Sequence, residues 1–243
     1  MTLPKMILFD YGQTLLGEVE WDNLRGNAAL LRHAVKNPRG ITAEQLARFA
    51  DELFYQTCWP VREIRRELHQ WQFDRLLFGL LQIELSLTPE EQERVFFEHT
   101  LKIAPMPHIE ELLGLLRELG IRAGVVSNIM SSRTELERRI ASYLPLQQFE
   151  FIIASSDYGI RKPDPLIFQL ALAKASLPPG DIWFCGDHPR CDVEGSHAAG
   201  MYPVWYESHD LPDPRPDTTL TAPNCPHLHI HSWRELIEIL KEA

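Results

Sequence analysis

The stretch Lys5-Met6-Ile7-Leu8-Phe9-Asp10-Tyr11-Gly12-Gln13-Thr14 decides how the rest of the chain is read. Four apolar residues, Met6 to Phe9, stop abruptly at an aspartate, and a glycine and a threonine follow at once. In an α/β protein, ligands gather at the C-terminal ends of parallel strands. A carboxylate placed there, on a tight Gly-containing turn, is suited to nucleophilic attack or to metal ligation.

Three later segments repeat the pattern of an apolar run, or a helix start, carrying a polar group. Val125-Val126-Ser127-Asn128 ends in a hydroxyl and an amide. Tyr158-Gly159-Ile160-Arg161-Lys162-Pro163-Asp164-Pro165 carries a lysine in a Gly/Pro-rich loop. Trp183-Phe184-Cys185-Gly186-Asp187 ends in an aspartate, with Asp192 five residues on. Taken together and in this order, these segments resemble the four motifs of the haloacid dehalogenase-like superfamily of hydrolases, and the resemblance spans nearly the whole chain. It implies a doubly wound, parallel-sheet, Rossmann-like α/β core with an all-helical cap inserted after the first motif.

The patterning agrees with such an organisation. From about residue 105 onward, helical and strand-like segments alternate. His108–Leu119 reads as a helix stopped by Gly120, Ile121–Val126 as a strand and Ser131–Tyr143 as a polar helix. Phe149–Ala154 reads as a buried strand, and Asp164 and Pro165 suit the N-cap and first turn of a helix to about Ala175. Ile182–Cys185 and Pro203–Tyr206 are further strands, separated by a short helix ending near Gly200. Alternation of this kind implies parallel strands with crossover helices on both faces.

Residues 17–104 break the pattern and are expected to hold helices only, over Thr42–Tyr55, Arg62–Leu81 and Pro89–Thr100, with Thr88 and Glu91 as a capping box. The expected division is a core of residues 1–16 and 105–243 and a helical cap of residues 17–104. Arg62, Arg65 and Arg66 would share one helix face, open to an anionic substrate or solvated beside Glu63 and Glu67. Ser208–Pro226 is an irregular excursion rich in Pro, Asp and Thr, after which Ser232 and Glu235 suggest a capping box for a terminal helix. His227, His229 and His231 fall on one face of an intervening strand, which is expected to be a solvated face rather than a metal site, because no carboxylate or cysteine has ligand-like spacing to it.

Composition narrows the setting. The 243 residues carry a formal net charge of −10 with no basic cluster, which argues against a nucleic-acid partner. No apolar run reaches transmembrane length, and a strand begins too early for a signal peptide, so neither a membrane nor an export route is expected. The four cysteines lack C-x-x-C spacing and suit a reducing cytosol. No G-x-G-x-x-G follows the first strand, which disfavours dinucleotide chemistry.

The resemblance implies roles residue by residue. Asp10 is the nucleophile of an aspartyl-phosphate pathway. Ser127, Asn128 and Lys162 bind the phosphoryl group of a small phosphorylated substrate, and Lys162 adds a fixed positive charge. Mg²⁺ is held by Asp10, the backbone carbonyl of Gly12 and Asp187, with Asp192 orienting a bound water or Lys162. One departure stands out. Phosphatases of this superfamily usually carry a second aspartate two residues after the nucleophile, where this chain has Gly12. That aspartate is a general acid–base group, typically contributing ~10²–10⁴-fold. Three readings follow: a substrate with a good leaving group; a substitute proton donor among Gln13, His188 or a cap residue; or a phospholigand-binding, regulatory protein with weak or no turnover. A 2-haloacid dehalogenase, which needs no cation, is disfavoured by the acidic pair Asp187 and Asp192.

Overall fold

Met6–Phe9 (β1) and Leu16–Trp21 (β2) open the chain, in a computed structural model that describes residues 2–208, 210–211 and 221–242. Next come α1 (Asn23–Leu31), β3 (Ala34–Lys36), α2 (Ala43–Glu63), α3 (Gln70–Leu81), β4 (Glu84–Leu85), α4 (Pro89–Thr100) and β5 (Leu101–Pro105). Alternation then sets in with α5 (Ile109–Glu118), β6 (Arg122–Ser127), α6 (Arg133–Ala141), β7 (Phe149–Ala154), α7 (Ser155–Tyr158) and α8 (Pro165–Ala175). It continues through β8 (Ile182–Gly186), α9 (Gly195–Ala198), β9 (Tyr202–Tyr206), β10 (Leu228–Ile230) and α10 (Trp233–Glu242).

The main sheet has six parallel strands in the order β10-β9-β8-β1-β6-β7. The order reverses at β1, so the chain winds outward in both directions from it and leaves a crevice at its C-terminal end. Period two explains the burial of β1 on both faces. Ile7 and Phe9 enter one core with Leu112, Leu116, Leu136, Trp233 and Leu236, from α5, α6 and α10. Met6 and Leu8 enter the other with Ile167, Phe168 and Ala171, from α8. The expected α/β class, with parallel strands between helices, is thus the observed one. Gly120 takes φ +68°, which explains why α5 stops where it does.

Helices α1 to α4 close around a third apolar cluster that includes Leu30, Leu46, Leu53, Phe73, Leu77, Phe78 and Phe96, joined by Met130 from the loop after β6. The expectation of helices alone over residues 17–104 is corrected here. β2 and β5 pair antiparallel, Leu16 against Pro105 through Trp21 against Leu101, and β3 pairs with β4. Glu20, from β2, holds Lys102 of β5 and Arg25. These strands are short and mostly half-buried; Glu18-Val19-Glu20-Trp21 does alternate, but the partners lie far along the chain, so the pairing is not legible locally.

Helix boundaries shift as well. α2 runs through Pro60 to Glu63, and α3 begins at Gln70 rather than near Arg62. Between them Arg65 adopts φ +61°, and His69 caps α3 by accepting the Trp71 N–H at 3.1 Å. Arg62, Arg65 and Arg66 therefore share no helix face. The Thr88/Glu91 capping box is present, with hydrogen bonds of 3.3 and 2.8 Å. At α10 the box is offset: Ser232 Oγ accepts the Arg234 N–H, and Glu235 reaches the N–H of His231 instead of Ser232. Of the irregular excursion Ser208–Pro226, positions 209 and 212–220 lie outside the described residues. Among the described residues no helix is long and apolar enough to cross a membrane.

Asp74 on α3 yields a test of the helical module. Burial pushes its carboxyl up to about 7, while the Gln70 hydrogen bond (2.8 Å) opposes and the charge of Glu93 adds to the rise. In the unfolded chain Asp titrates near ~3.9. The native state therefore holds this proton more tightly; the stabilisation is full below ~pH 4 and is lost as pH rises through about 7. Asp74→Asn is expected to be more stable than wild type at pH 8, by up to about 4 kcal/mol, and nearly equal at pH 4. Urea unfolding at the two pH values checks this; a gap of the same size at both would contradict it.

Candidate active site

Parallel register brings the ends of β1, β6 and β8 to one level. Phe9 pairs with Val125 on one side and with Cys185 on the other. Asp10, whose N–H donates to the Cys185 carbonyl at 2.9 Å, is thus set between Ser127 and the Gly186-Asp187 corner. Tyr11 then closes a tight turn by accepting the N–H groups of Leu15 (2.9 Å) and Leu16 (3.1 Å). Gln13, not Gly12, takes the left-handed conformation in this turn, at φ +54°. A Cβ built on Gly12 meets nothing within 4 Å. Residue 12 is therefore a glycine for neither backbone nor space.

Lys162 reaches into the centre of this group. Its side chain is 1% exposed, and Nζ lies 2.7 Å from Asp10 Oδ1 and 2.7 Å from Asp192 Oδ1. The first contact is a hydrogen bond; the second is an ion pair whose angles fall short of one. Burial would depress the ammonium pKa, but Asp10 and Asp192 together outweigh it and hold Lys162 above its ordinary value. Lys162 is therefore a fixed cation through the neutral range and not a proton donor. Its backbone is held from β6: the N–H of Lys162 donates to Asn128 Oδ1 at 2.7 Å, and Asn128 Nδ2 donates to the Lys162 carbonyl at 2.9 Å. The Asn128 side chain, expected on the substrate, is turned onto the main chain of Lys162 and acts by positioning it. Asp164 and Pro165 open α8 as the sequence predicts, with Asp164 accepting the Leu166 N–H at 3.0 Å.

The corner after β8 supplies the remaining carboxylates. A Cβ on Gly186 would lie 2.5 Å from the Asp192 carboxylate, so only glycine lets Asp192 fold back over the strand end. Asp192 Oδ2 accepts the His188 N–H at 3.0 Å, and Trp205 Nε1 donates to the Asp187 carbonyl at 3.1 Å. Carboxylate oxygens of Asp10, Asp187 and Asp192 all lie within 4.8 Å of one another. Ser127 is 2% exposed at the end of β6, and its hydroxyl has no hydrogen bond among the described residues; Ser132, not Ser127, caps α6.

Asp10 and Asp192 are both paired with Lys162, and half-buried Asp187 joins them. At Asp10 burial raises the pKa, Lys162 opposes the rise and Asp192 adds to it. An all-oxygen donor set with this charge fits a hard divalent cation such as Mg²⁺.

Sequence reasoning missed a second ring of residues. Glu67, in the loop between α2 and α3, is fully buried at its side chain and meets Arg62 Nε at 3.3 Å and Arg161 at 3.2 Å. It also accepts the Ser155 hydroxyl at 3.1 Å. The backbone is stitched alongside, Glu67 N–H to Gly159 O, Arg161 N–H to Arg65 O and Gln70 N–H to Met130 O. Arg66 pairs with Asp164 at 2.7 Å, so two of the three candidate anion-binding arginines are occupied by protein carboxylates. Arg161 precedes Lys162, and the loop between α2 and α3 therefore lies across the edge of the site. Arg62 apart, the side-chain partners stand some ninety residues away along the chain, and nothing local in the sequence signals them.

Comparison with known proteins bears on the family. The family model described as haloacid dehalogenase-like hydrolase matches residues 4–200. A phosphoserine phosphatase of Thermus thermophilus is 28% identical over 117 residues, 48% of this chain and 46% of that protein. A glyceraldehyde 3-phosphate phosphatase of Methanopyrus kandleri is 27% identical over 171 residues, 68% of this chain and 71% of that one. The chain thus spans about half the length of the first relative and more of the second. Among solved structures, a 2-haloacid dehalogenase from Pseudomonas syringae pv. Tomato superposes with a TM-score of 0.64 over 99% of both chains, at 23% identity. Similarity at that level speaks to the fold alone.

The Asn128 clamp can be tested by itself. Asn128→Ala removes two hydrogen bonds and leaves both main-chain partners on Lys162 unsatisfied. It is expected to lower the unfolding free energy by about 1–3 kcal/mol. Denaturant titration measures this, and an unchanged midpoint would show that the clamp is not formed in solution.

Proposed function

Because the chain belongs to the haloacid dehalogenase-like hydrolase family, we propose that it is a Mg²⁺-dependent phosphohydrolase acting on a small phosphorylated metabolite through an aspartyl-phosphate. The observation that carries this reading is the cluster of Asp10, Asp187 and Asp192 carboxylates, the first and last of them buried and paired with Lys162. The phosphatase relatives support the reaction class.

Asp10, the Gly12 carbonyl and Asp187 would hold Mg²⁺, which when bound supplies positive charge against the phosphoryl oxygens. The protein's own groups do the rest. A carboxylate oxygen of Asp10 attacks phosphorus; the new O–P bond forms as the bond to the leaving oxygen breaks. Lys162 neutralises charge on the transferring group, and the Ser127 hydroxyl donates to one of its oxygens. The leaving oxygen takes up a proton, and water then attacks the acyl phosphate, releasing phosphate and restoring Asp10. Asp192 keeps Lys162 aimed at Asp10. Residues 17–104 serve as a cap over this edge, with the core formed by residues 1–16 and 105–243. A cytosolic setting is part of the reading, since Cys58, Cys185, Cys191 and Cys225 are free thiols.

The proton for the leaving group is the open step. Gln13 directs its amide at the Glu18 carbonyl (3.4 Å), and an amide does not titrate. His188 accepts the Cys191 N–H at Nδ1 (3.2 Å), so a neutral ring carries its proton on Nε2. The glycine at position 12 also favours a second reading, a phospholigand-binding protein with slow turnover.

Hydrolysis of p-nitrophenyl phosphate with Mg²⁺ tests whether Asp10 turns over at all, because its leaving group departs without an acid; no turnover would favour the binding protein. Asp10→Asn is expected to abolish turnover with the fold intact; equal rates in the two proteins would remove Asp10 from the reaction. Asp187→Ala is expected to raise the half-saturating Mg²⁺ concentration sharply, and an unchanged value would put the cation elsewhere. Gly12→Asp enters open space in an ordinary backbone conformation. It is expected to raise kcat/KM for alkyl phosphates ~10-fold or more, equivalent to ~1.4 kcal/mol of transition-state stabilisation, with a smaller gain for p-nitrophenyl phosphate. An equal or absent gain on alkyl phosphates would mean that proton transfer at residue 12 does not limit the enzyme.

A further inference from the structure

A second group of metal-binding side chains lies away from the carboxylate trio, at the β10 edge of the sheet. Val204, Tyr206 and Ile230 face the main core, where Tyr206 stacks on Trp233 at 4.1 Å. Alternation turns Trp205, Glu207, His229 and His231 to the other face. Parallel pairing sets His229 against Trp205 and Ile230 against Tyr206, and the Glu207 N–H donates to the Ile230 carbonyl at 2.9 Å. Glu207 thereby comes level with the two histidines. The His229 ring lies flat on the Trp205 indole, centroids 4.1 Å apart and planes 14° apart, which fixes its orientation. His229 Nε2 is 3.0 Å from Glu207 Oε2; His231 Nδ1 is 3.8 Å from the same oxygen and 3.0 Å from the Glu207 main-chain carbonyl, a hydrogen bond that a metal ion at Nδ1 would replace. One donor atom from each of the three residues lies within 4.8 Å of the other two.

We infer that Glu207, His229 and His231 form a second cation site, for one transition-metal ion of the zinc, cobalt or nickel class. Two imidazole nitrogens and one carboxylate oxygen are the donors such ions select, whereas Mg²⁺ takes oxygen. Bonds of about 2.1 Å in a tetrahedral arrangement put neighbouring donors roughly 3.4 Å apart, between the two distances to Glu207 Oε2. The remaining positions open to solvent, since the His231 side chain is 60% exposed. His227 stands apart, with Nδ1 on the Cys225 carbonyl at 2.7 Å. Glu207 directly follows β9, His229 lies on β10 and His231 directly follows it, so the ion ties the C-terminal ends of these two paired strands together. The site also adjoins the catalytic edge, because Trp205 carries His229 on its face and the Asp187 carbonyl on its N–H.

The test titrates Zn²⁺ alone into the full chain, stripped of metal by chelator dialysis, by calorimetry and by competition with a chromophoric chelator. Asp187→Ala serves as background, so that the carboxylate trio contributes no signal. One zinc equivalent is expected to persist there. His229→Ala and Glu207→Gln in that background are each expected to weaken it at least ~10-fold, the effect of losing even an outer partner of a ligand. His227→Ala is expected to leave it unchanged. Glu207→Gln keeps the side-chain volume, so the answer does not depend on whether His229→Ala disturbs Trp205. Co²⁺ substitution should give visible absorption in Asp187→Ala that Glu207→Gln diminishes. Zinc affinity equal in all of these variants, or no zinc equivalent in Asp187→Ala, would overturn the assignment.

Discussion

The Lys162 ammonium, enclosed by Asp10 and Asp192, is the interaction on which the rest of this structure turns. Burying a charge is costly unless it is paired, and removing one partner of a buried pair typically costs 3–5 kcal/mol. Each neighbouring feature makes the pairing geometrically feasible. Asn128 fixes the lysine's main chain from β6, and the missing side chain of Gly186 admits the Asp192 carboxylate. A third carboxylate, Asp187, joins the same group. Stability alone gains little from such a cluster, whereas the proposed reaction, which brings a cation and a phosphoryl group to it, would use every member.

The helical module is tied to the core by the same kind of constraint. Glu67 is buried between Arg62 and Arg161 and accepts the Ser155 hydroxyl. Glu93 on α4 accepts the N–H and the hydroxyl of Ser132 at the start of α6, together with Trp71 Nε1. Breaking these contacts while the carboxylate stays buried would strand an unpaired charge, which is strongly destabilising. Charge pairing therefore sets how the loop between α2 and α3 rests on the site. It also explains why Arg62 and Arg66 cannot simply await an anionic ligand: both already hold a protein carboxylate.

Much of the core was legible residue by residue. β7 and α8 coincide with their expected spans, and β6, β8 and β9 differ by a residue at their ends. Buried parallel strands announce themselves by short apolar runs, and α8 by Asp164 and Pro165 at its start. The module between β1 and α5 was less legible. β2 and β5 are short and meet only in three dimensions, and the turn at Arg65 that separates α2 from α3 carries no glycine. Asn128 was read by its place in a motif, as a ligand-binding group; its partner is the Lys162 main chain, thirty-four residues later, which no spacing rule encodes.

The sequence by itself determined the α/β class, the C-terminal strand edge as the place of chemistry, and the identities of Asp10, Ser127, Lys162, Asp187 and Asp192 as its candidates. It could do so because strand burial and helix starts are local properties of the chain. Tertiary structure alone decided that Lys162 bridges Asp10 and Asp192, that Asn128 is a clamp, that Glu67 and Arg161 border the site, and that Glu207 meets His229 and His231. Each of these depends on the distance between groups far apart in sequence, and electrostatic energy is set by that distance and by burial, neither of which exists until the strands are in register.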